Sequence, residues 1–196
     1  MYAYRIVRTL QRPYFVYCAQ AWRKAAALTA LRIPITSPPI TAENFDPAWM
    51  EGQPLLYFKL HGYENDPDWY GLDERGHKPT ALTPNLVRQA DLTGAIVVAV
   101  VCYGAGGEME GAFLEAGAIA FFGSADEVVA REDAVDEADL LAQQLLALAR
   151  KSQNLQDILA EAKERYRTMR GENLTEYDHA TLEAFTVTTA KGNAHA

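Results

Sequence analysis

At 196 residues, 49% of them hydrophobic and 22% charged, the chain is long enough to bury one sizeable core and too short for two ordinary domains. A net charge of -8 excludes a phosphate-binding surface unless Lys and Arg gather locally, and no such cluster occurs, so nucleic acid is set aside and a peptide or protein partner is expected. Two cysteines make no disulfide framework and share no metal-ligand spacing with the four histidines, which points to a reducing, cytoplasmic setting with no metal and no cofactor.

The N-terminus scatters arginines through its apolar stretch and has no signal-peptide core, and no window approaches a transmembrane span, so no membrane contact is expected. One domain over 1–196 follows, with 1–13 and 190–196 peripheral.

In chain order, Tyr14 to Ala19 (YFVYCA) reads as a strand and AWRKAAALTALR as a helix. Five prolines between Ile33 and Pro54 predict loop or short irregular elements. Leu55 to Leu60 is a buried strand that stops at His61-Gly62. Gly62 to Pro79, rich in Gly, Pro, Asp and Asn, suits a long loop. Thr83-Pro84 resembles a helix cap, with the helix running to about Leu92. Ala95 to Val101 is the most apolar strand and ends on Cys102. A helix from about Gly107 to Glu115 stops at Gly117, and Ala118 to Ser124 is another buried strand.

Beyond it, Leu140 to Arg150 and Asn154 to Met169 space apolar residues at three and four, as helices laid against a sheet do. Leu182 to Thr189 reads as an edge strand, and the Gly-Asn-Ala-His tail as frayed. Alternating strands and helices imply a three-layer αβα sandwich of flavodoxin-like type with a mainly parallel sheet and right-handed crossovers.

Open α/β sheets bind ligands at the carboxyl ends of their strands, so His61 and Cys102 fall where an imidazole and a thiol can share one rim. A thiol needs a neighbouring base or positive potential to act near pH 7. After Cys102, Tyr103-Gly104-Ala105-Gly106-Gly107 permits a tight turn into a helix whose N-terminus points back at the sulfur, and Gly62 leaves an N–H free to face an oxyanion beside that of Cys102. Each residue has a bland reading, a small buried thiol and a turn histidine; the two glycine-flanked strand ends together favour a nucleophilic dyad. Cys18, with no turn after it, reads as core.

Around these residues Tyr63, Glu64, Trp69, Tyr70 and Tyr103 are candidates for substrate contact, the aromatics as a wall for a peptide. Glu64, Asp66, Asp68, Asp73, Glu108 and Glu110 are acids that line a pocket or orient His61, or else are solvated. Seven acids between Asp126 and Asp139, against Arg131, read as a solvated helix-flanking loop without EF-hand spacing.

YFKLHGYENDPDWYG (Tyr57 to Gly71), AIVVAVVCYGAGG (Ala95 to Gly107) and AFLEAGAIAFFGS (Ala112 to Ser124) resemble the caspase-like clan (clan CD) of cysteine peptidases, most closely its gingipain-like branch and the related CHAT domains. The resemblance covers about Leu55 to Arg167. It implies a caspase-like sandwich and peptide-bond hydrolysis through an acyl-enzyme, with Cys102 as nucleophile, His61 protonating the leaving amine, and the Gly62 and Cys102 amides as oxyanion hole. Relatives that cut after Arg or Lys carry an acid near the end of the first strand, where this chain has Tyr17-Cys18-Ala19-Gln20. Two alternatives stand beside an active endopeptidase: a caspase-like regulatory domain activated by a partner or as part of a multidomain chain, and a noncatalytic flavodoxin-like scaffold. The second alternative calls for a ligand signature, and the sequence has no Walker loop and no Gly-x-Gly-x-x-Gly after its first strand.

Overall fold

A computed structural model describes residues 14–129, 131, 134–149 and 155–190. The peripheral segment expected at 1–13, all of that expected at 190–196 except Ala190, and Arg150, Asn154, Glu132 and Asp133 lie outside them.

The strands are β1 (Phe15–Ala19), β2 (Ile35–Ser37), β3 (Leu55–Lys59), β4 (His61–Tyr63), β5 (Asp66–Tyr70), β6 (Thr80–Leu82), β7 (Ile96–Val100), β8 (Ala120–Ser124) and β9 (Phe185–Thr189). The helices are α1 (Arg23–Ala30), α2 (Pro84–Val87), α3 (Glu108–Glu115), α4 (Glu137–Ala149), α5 (Leu155–Arg170) and α6 (Glu176–Ala184), with 3-10 turns at Gln20–Trp22 and Pro47–Met50. The main sheet has six strands in the order β2-β1-β3-β7-β8-β9, parallel throughout except for β9.

β1, β3, β7 and β8 are buried along their whole length, as strands covered on both faces must be. Period-two alternation sends Ile96, Val98 and Val100 to one face, where they meet Ala26 of α1, Leu141 and Leu145 of α4, Ile158 and Ala162 of α5, and Leu182 of α6. Val97, Ala99 and Val101 face the other way, toward Phe113 of α3, Val87 of α2, Trp69 of β5 and Met50. The architecture is therefore the expected α/β sandwich around a mainly parallel sheet. Among the described residues no helix is long and apolar enough to cross a membrane, and no group of three or more His, Cys, Asp or Glu is placed to hold a metal.

Four local readings are corrected. The long loop after Gly62 is a three-stranded antiparallel sheet, β4-β5-β6, whose pairings His61 with Tyr70 and Trp69 with Leu82 override the turn-forming composition of the segment. The proline-rich stretch contributes β2, which fits as an edge strand because its three residues end before Pro38. The helix expected to reach Leu92 is the single turn α2, capped by Thr83. The last strand starts at Phe185; Leu182 belongs to α6, which opens on a Thr175–Asp178 capping box.

Candidate functional site

β3 and β7 pair in an unbroken register from Leu55 with Ile96 to Lys59 with Val100, a constant offset of 41 residues. His61 and Cys102 each stand two residues past the last pair of that register, Lys59 with Val100, and His61 there opens β4, opposite Tyr70. The chain then makes its closest approach at Gly62. A Cβ there would overlap the Cys102 carbonyl oxygen and come within 2.7 Å of Val101 Cγ1, so only glycine lets the two strand ends meet.

Beyond Cys102 the backbone turns at once, with the Gly104 amide donating to the Val101 carbonyl at 3.2 Å. Two residues of the turn are left-handed: Gly106, one of the expected glycines, at φ +80°, and Tyr103, a non-glycine, at φ +53°. A non-glycine in that region is held by its surroundings and belongs among the strained positions that cluster at functional sites. Gly104 is needed for space instead, since a Cβ on it would sit 3.0 Å from the Val101 carbonyl oxygen.

The side chains of Cys102 and His61 are each held by something other than the other. Cys102 Sγ accepts a hydrogen bond from the Val128 amide at 3.3 Å and donates to the Val128 carbonyl at 3.5 Å. Burial pushes the Cys102 thiol up, and the carboxylates of Glu127 and Asp126 add to that. The helix N-terminus expected to activate the sulfur carries Glu108 and Glu110 in its first turn and does not reverse this. His61 is half-buried; its Nε2 is covered and has no hydrogen-bond partner. Its ring lies 4.4 Å from that of Trp22, tilted by 50°. Burial, then the nearby Lys78 cation, lowers the imidazole to about 4. The resting pair is thus a neutral thiol and a neutral imidazole.

The Val128 contact is pinned at both ends. Asp126 takes the Tyr103 amide at 3.2 Å on its carbonyl, and Ala105 donates to the Ser124 carbonyl at 2.9 Å. On the far side the Arg131 amide donates to Asp136 Oδ2 at 3.2 Å. Asp136 in turn belongs to a fully buried ionic cluster, with Lys59 Nζ 3.2 Å from Asp136 and 2.5 Å from Asp139, and the Tyr57 hydroxyl donating to Asp139 at 3.1 Å. The reading of 126–139 as a solvated acidic run therefore fails for Asp136 and Asp139, which neutralise a lysine buried within the β3 strand. Sequence reasoning passed over Lys59 and Trp22. A lone Lys inside LLYFKL was the available signal, because a buried ammonium requires buried acids, and Asp136-x-x-Asp139 has the spacing to place two on one helix face.

Four of the predicted contact residues, Tyr63, Glu64, Trp69 and Tyr103, line one cavity of about 230 Å³ together with Asp66 and Glu108. Tyr70 is outside it and packs edge-on against Tyr63 at 5.5 Å. Trp69 is 2% exposed and is also core, ringed by Phe58, Phe113 and Phe121. None of the six candidate acids bonds to His61. Asp66 accepts from the Tyr70 hydroxyl, Asp73 from the Arg75 and His77 amides, Glu108 from Arg88 and Glu110 from the Gly106 amide. Asp68, beside Asp66 and Glu108, is raised by burial and by those two charges. Cys18 is fully buried in β1.

No protein-family model and no curated protein matches the sequence. Among solved structures the chain is similar to one in the complex of Porphyromonas gingivalis RgpB pro- and mature domains, at 14% identity and a TM-score of 0.56, over 90% of this chain and 47% of that one. A structure described as that of a protease aligns at 13% identity and a TM-score of 0.48, over 93% of this chain and 49% of the other. The chain spans about half the length of these neighbours. At such identity the first likeness establishes the fold alone: a caspase-like αβα sandwich.

Proposed function

We propose that the chain is a cysteine endopeptidase domain in which Cys102 is the nucleophile and His61 the acid/base. The observation that supports this reading is the close approach of the two strand ends that carry His61 and Cys102: β3 and β7 pair as far as Lys59 and Val100, and only glycine fits at position 62 against the Cys102 carbonyl. Once Val128 releases the sulfur, the Cys102 proton passes to His61 as the S–C bond forms on the scissile carbonyl. The imidazolium returns that proton to the departing amine, leaving an acyl-enzyme. Water then attacks the thioester, giving the acid and restoring the thiol. The Gly62 and Cys102 amides receive the oxyanion, each donor being worth about 3–4 kcal/mol of barrier. The side chain before the scissile bond enters the cavity beside Tyr103, where Glu64, Asp66 and Glu108 favour a cation.

The hydrogen bonds from Val128 to the sulfur favour a second reading of regulation: the domain is latent until a partner, or a further part of a larger protein, draws that segment away. The test is a fluorogenic peptide library, followed by trapping with a peptidyl chloromethyl ketone and mass spectrometry. A single adduct on Cys102, lost in Cys102→Ala and His61→Ala but kept in Cys18→Ala, is expected; turnover unchanged in Cys102→Ala removes the mechanism.

A further inference from the structure

We infer that Trp22 is the positioning residue of the dyad, its indole taking the place of a carboxylate in orienting His61 and keeping the ring dry; this rests on the reading of His61 as the acid/base. A catalytic imidazole is ordinarily fixed by a hydrogen bond to the nitrogen that does not face the nucleophile. Among the described residues no carboxylate bonds to either His61 nitrogen, and Nε2 is buried without a partner. The acids nearest in sequence are engaged elsewhere, Asp66 with Tyr70 and Asp73 with the turn at Arg75 and His77.

The fold accounts for the substitution of roles. β1 and β3 pair Cys18 with Lys59, an offset of 41, which continued two residues sets Gln20 level with His61. The chain there winds into the Gln20–Trp22 turn and brings the Trp22 ring, 6% exposed, onto the imidazole at 4.4 Å. The same indole has Lys59 Nζ 5.8 Å from its centroid, and Lys59 is locked by Asp136 and Asp139. An aromatic plate fixed by a buried cation can hold a second ring in one orientation with no hydrogen bond to it. The groups around the imidazole are Trp22 against its ring, Tyr70 opposite it on β5 and Lys78 ahead of β6, whose charge acts on it. That charge is a cation, so Trp22 excludes water from a ring that Lys78 also keeps unprotonated.

The experiment compares Trp22→Phe, Trp22→Leu and Trp22→Ala with the parent protein. His61 ring protons are followed by NMR from pH 3 to 8, with His61→Gln for assignment and circular dichroism for the fold. Peptide turnover is measured across the same range. In the parent His61 titrates near 4. In Trp22→Leu and Trp22→Ala it moves up by a unit or more, toward about 6.5. Their kcat falls roughly 10–100-fold with KM little changed, as expected for a misplaced catalytic group. Trp22→Phe restores most of both. Trp22→Leu keeps the apolar bulk without the flat face and folds even if Trp22→Ala does not. A folded Trp22→Leu with parental titration and kcat overturns the proposal. If His61→Gln leaves turnover intact, the peptidase reading fails instead, while the His61 titrations still decide whether Trp22 shelters that ring.

Discussion

Cys18 lies within β1 and Cys102 just past the end of β7, two strands of one sheet with β3 between them, and the two thiols differ in their place along the ladder. Cys18 lies within the ladder, paired with Thr36 on one side and Lys59 on the other, and burial pushes its thiol up to about 12. Cys102 lies past the β3–β7 pairs, half-buried, with Gly62 close against its carbonyl. Both thiols are raised by desolvation, so the resting environment does not separate them. What separates them is position relative to the end of the ladder: Cys18 has neighbouring strands on both of its edges, whereas Cys102 follows the last pair, at the carboxyl end of the sheet where open α/β folds bind ligands.

The sharpest break of that comparison is exchange of each thiol for a methyl. Cys102→Ala is expected to lower turnover by at least about 10⁴-fold and Cys18→Ala by less than about twofold, measured by steady-state hydrolysis of a library-selected peptide. Equal losses would mean that the ladder's end has no special role. Next in size is Lys59→Met, which leaves Asp136 and Asp139 buried without a countercharge and is expected to cost about 3–5 kcal/mol in urea unfolding. In that variant the folded state holds the two carboxyls protonated more readily than the unfolded chain does, so stability recovers as pH falls toward 4. Loss of the Asp136 anchor also frees Val128, so iodoacetamide labels Cys102 faster while Cys18 stays protected.

Gly62→Ala comes third. Its Cβ forces the two strand ends apart, with an expected cost of about 1–3 kcal/mol and roughly 100-fold in turnover. The smallest effect is on the buried partner of the pair, where Cys18→Ala should cost about 1–2 kcal/mol by thermal unfolding and nothing in the pH profile of turnover.

Much of this comparison could be read from the sequence because it depends on local signals. The apolar runs ending at His61 and Cys102, and the glycine after His61, each lie within a few residues. The six-stranded sheet was legible wherever strands are buried on both sides. β2 escaped because three residues paired along one edge leave no periodicity to detect. β5 escaped because Asp66, Pro67 and Asp68 form a strand only through partners up to 13 residues away, such as Leu82 opposite Trp69. Lys59 and its acids are 77 and 80 residues apart, and Trp22 reaches His61 from a different strand end, so both contacts exist only once the sheet has assembled. The capping box before α6 was, by contrast, present in the sequence as Thr175-x-x-Asp178, and should have moved the start of the last strand beyond Leu182.

β2 also bears on how this molecule behaves in a crowded solution. An open sheet flank is a template on which another extended chain can add, the first step toward fibrous aggregates. Here that flank is three residues long and runs directly into Pro38 and Pro39, which have no amide hydrogen to offer. A second molecule aligning there would find too few donors to extend a ladder, so this three-residue strand guards its flank of the sheet against templated growth.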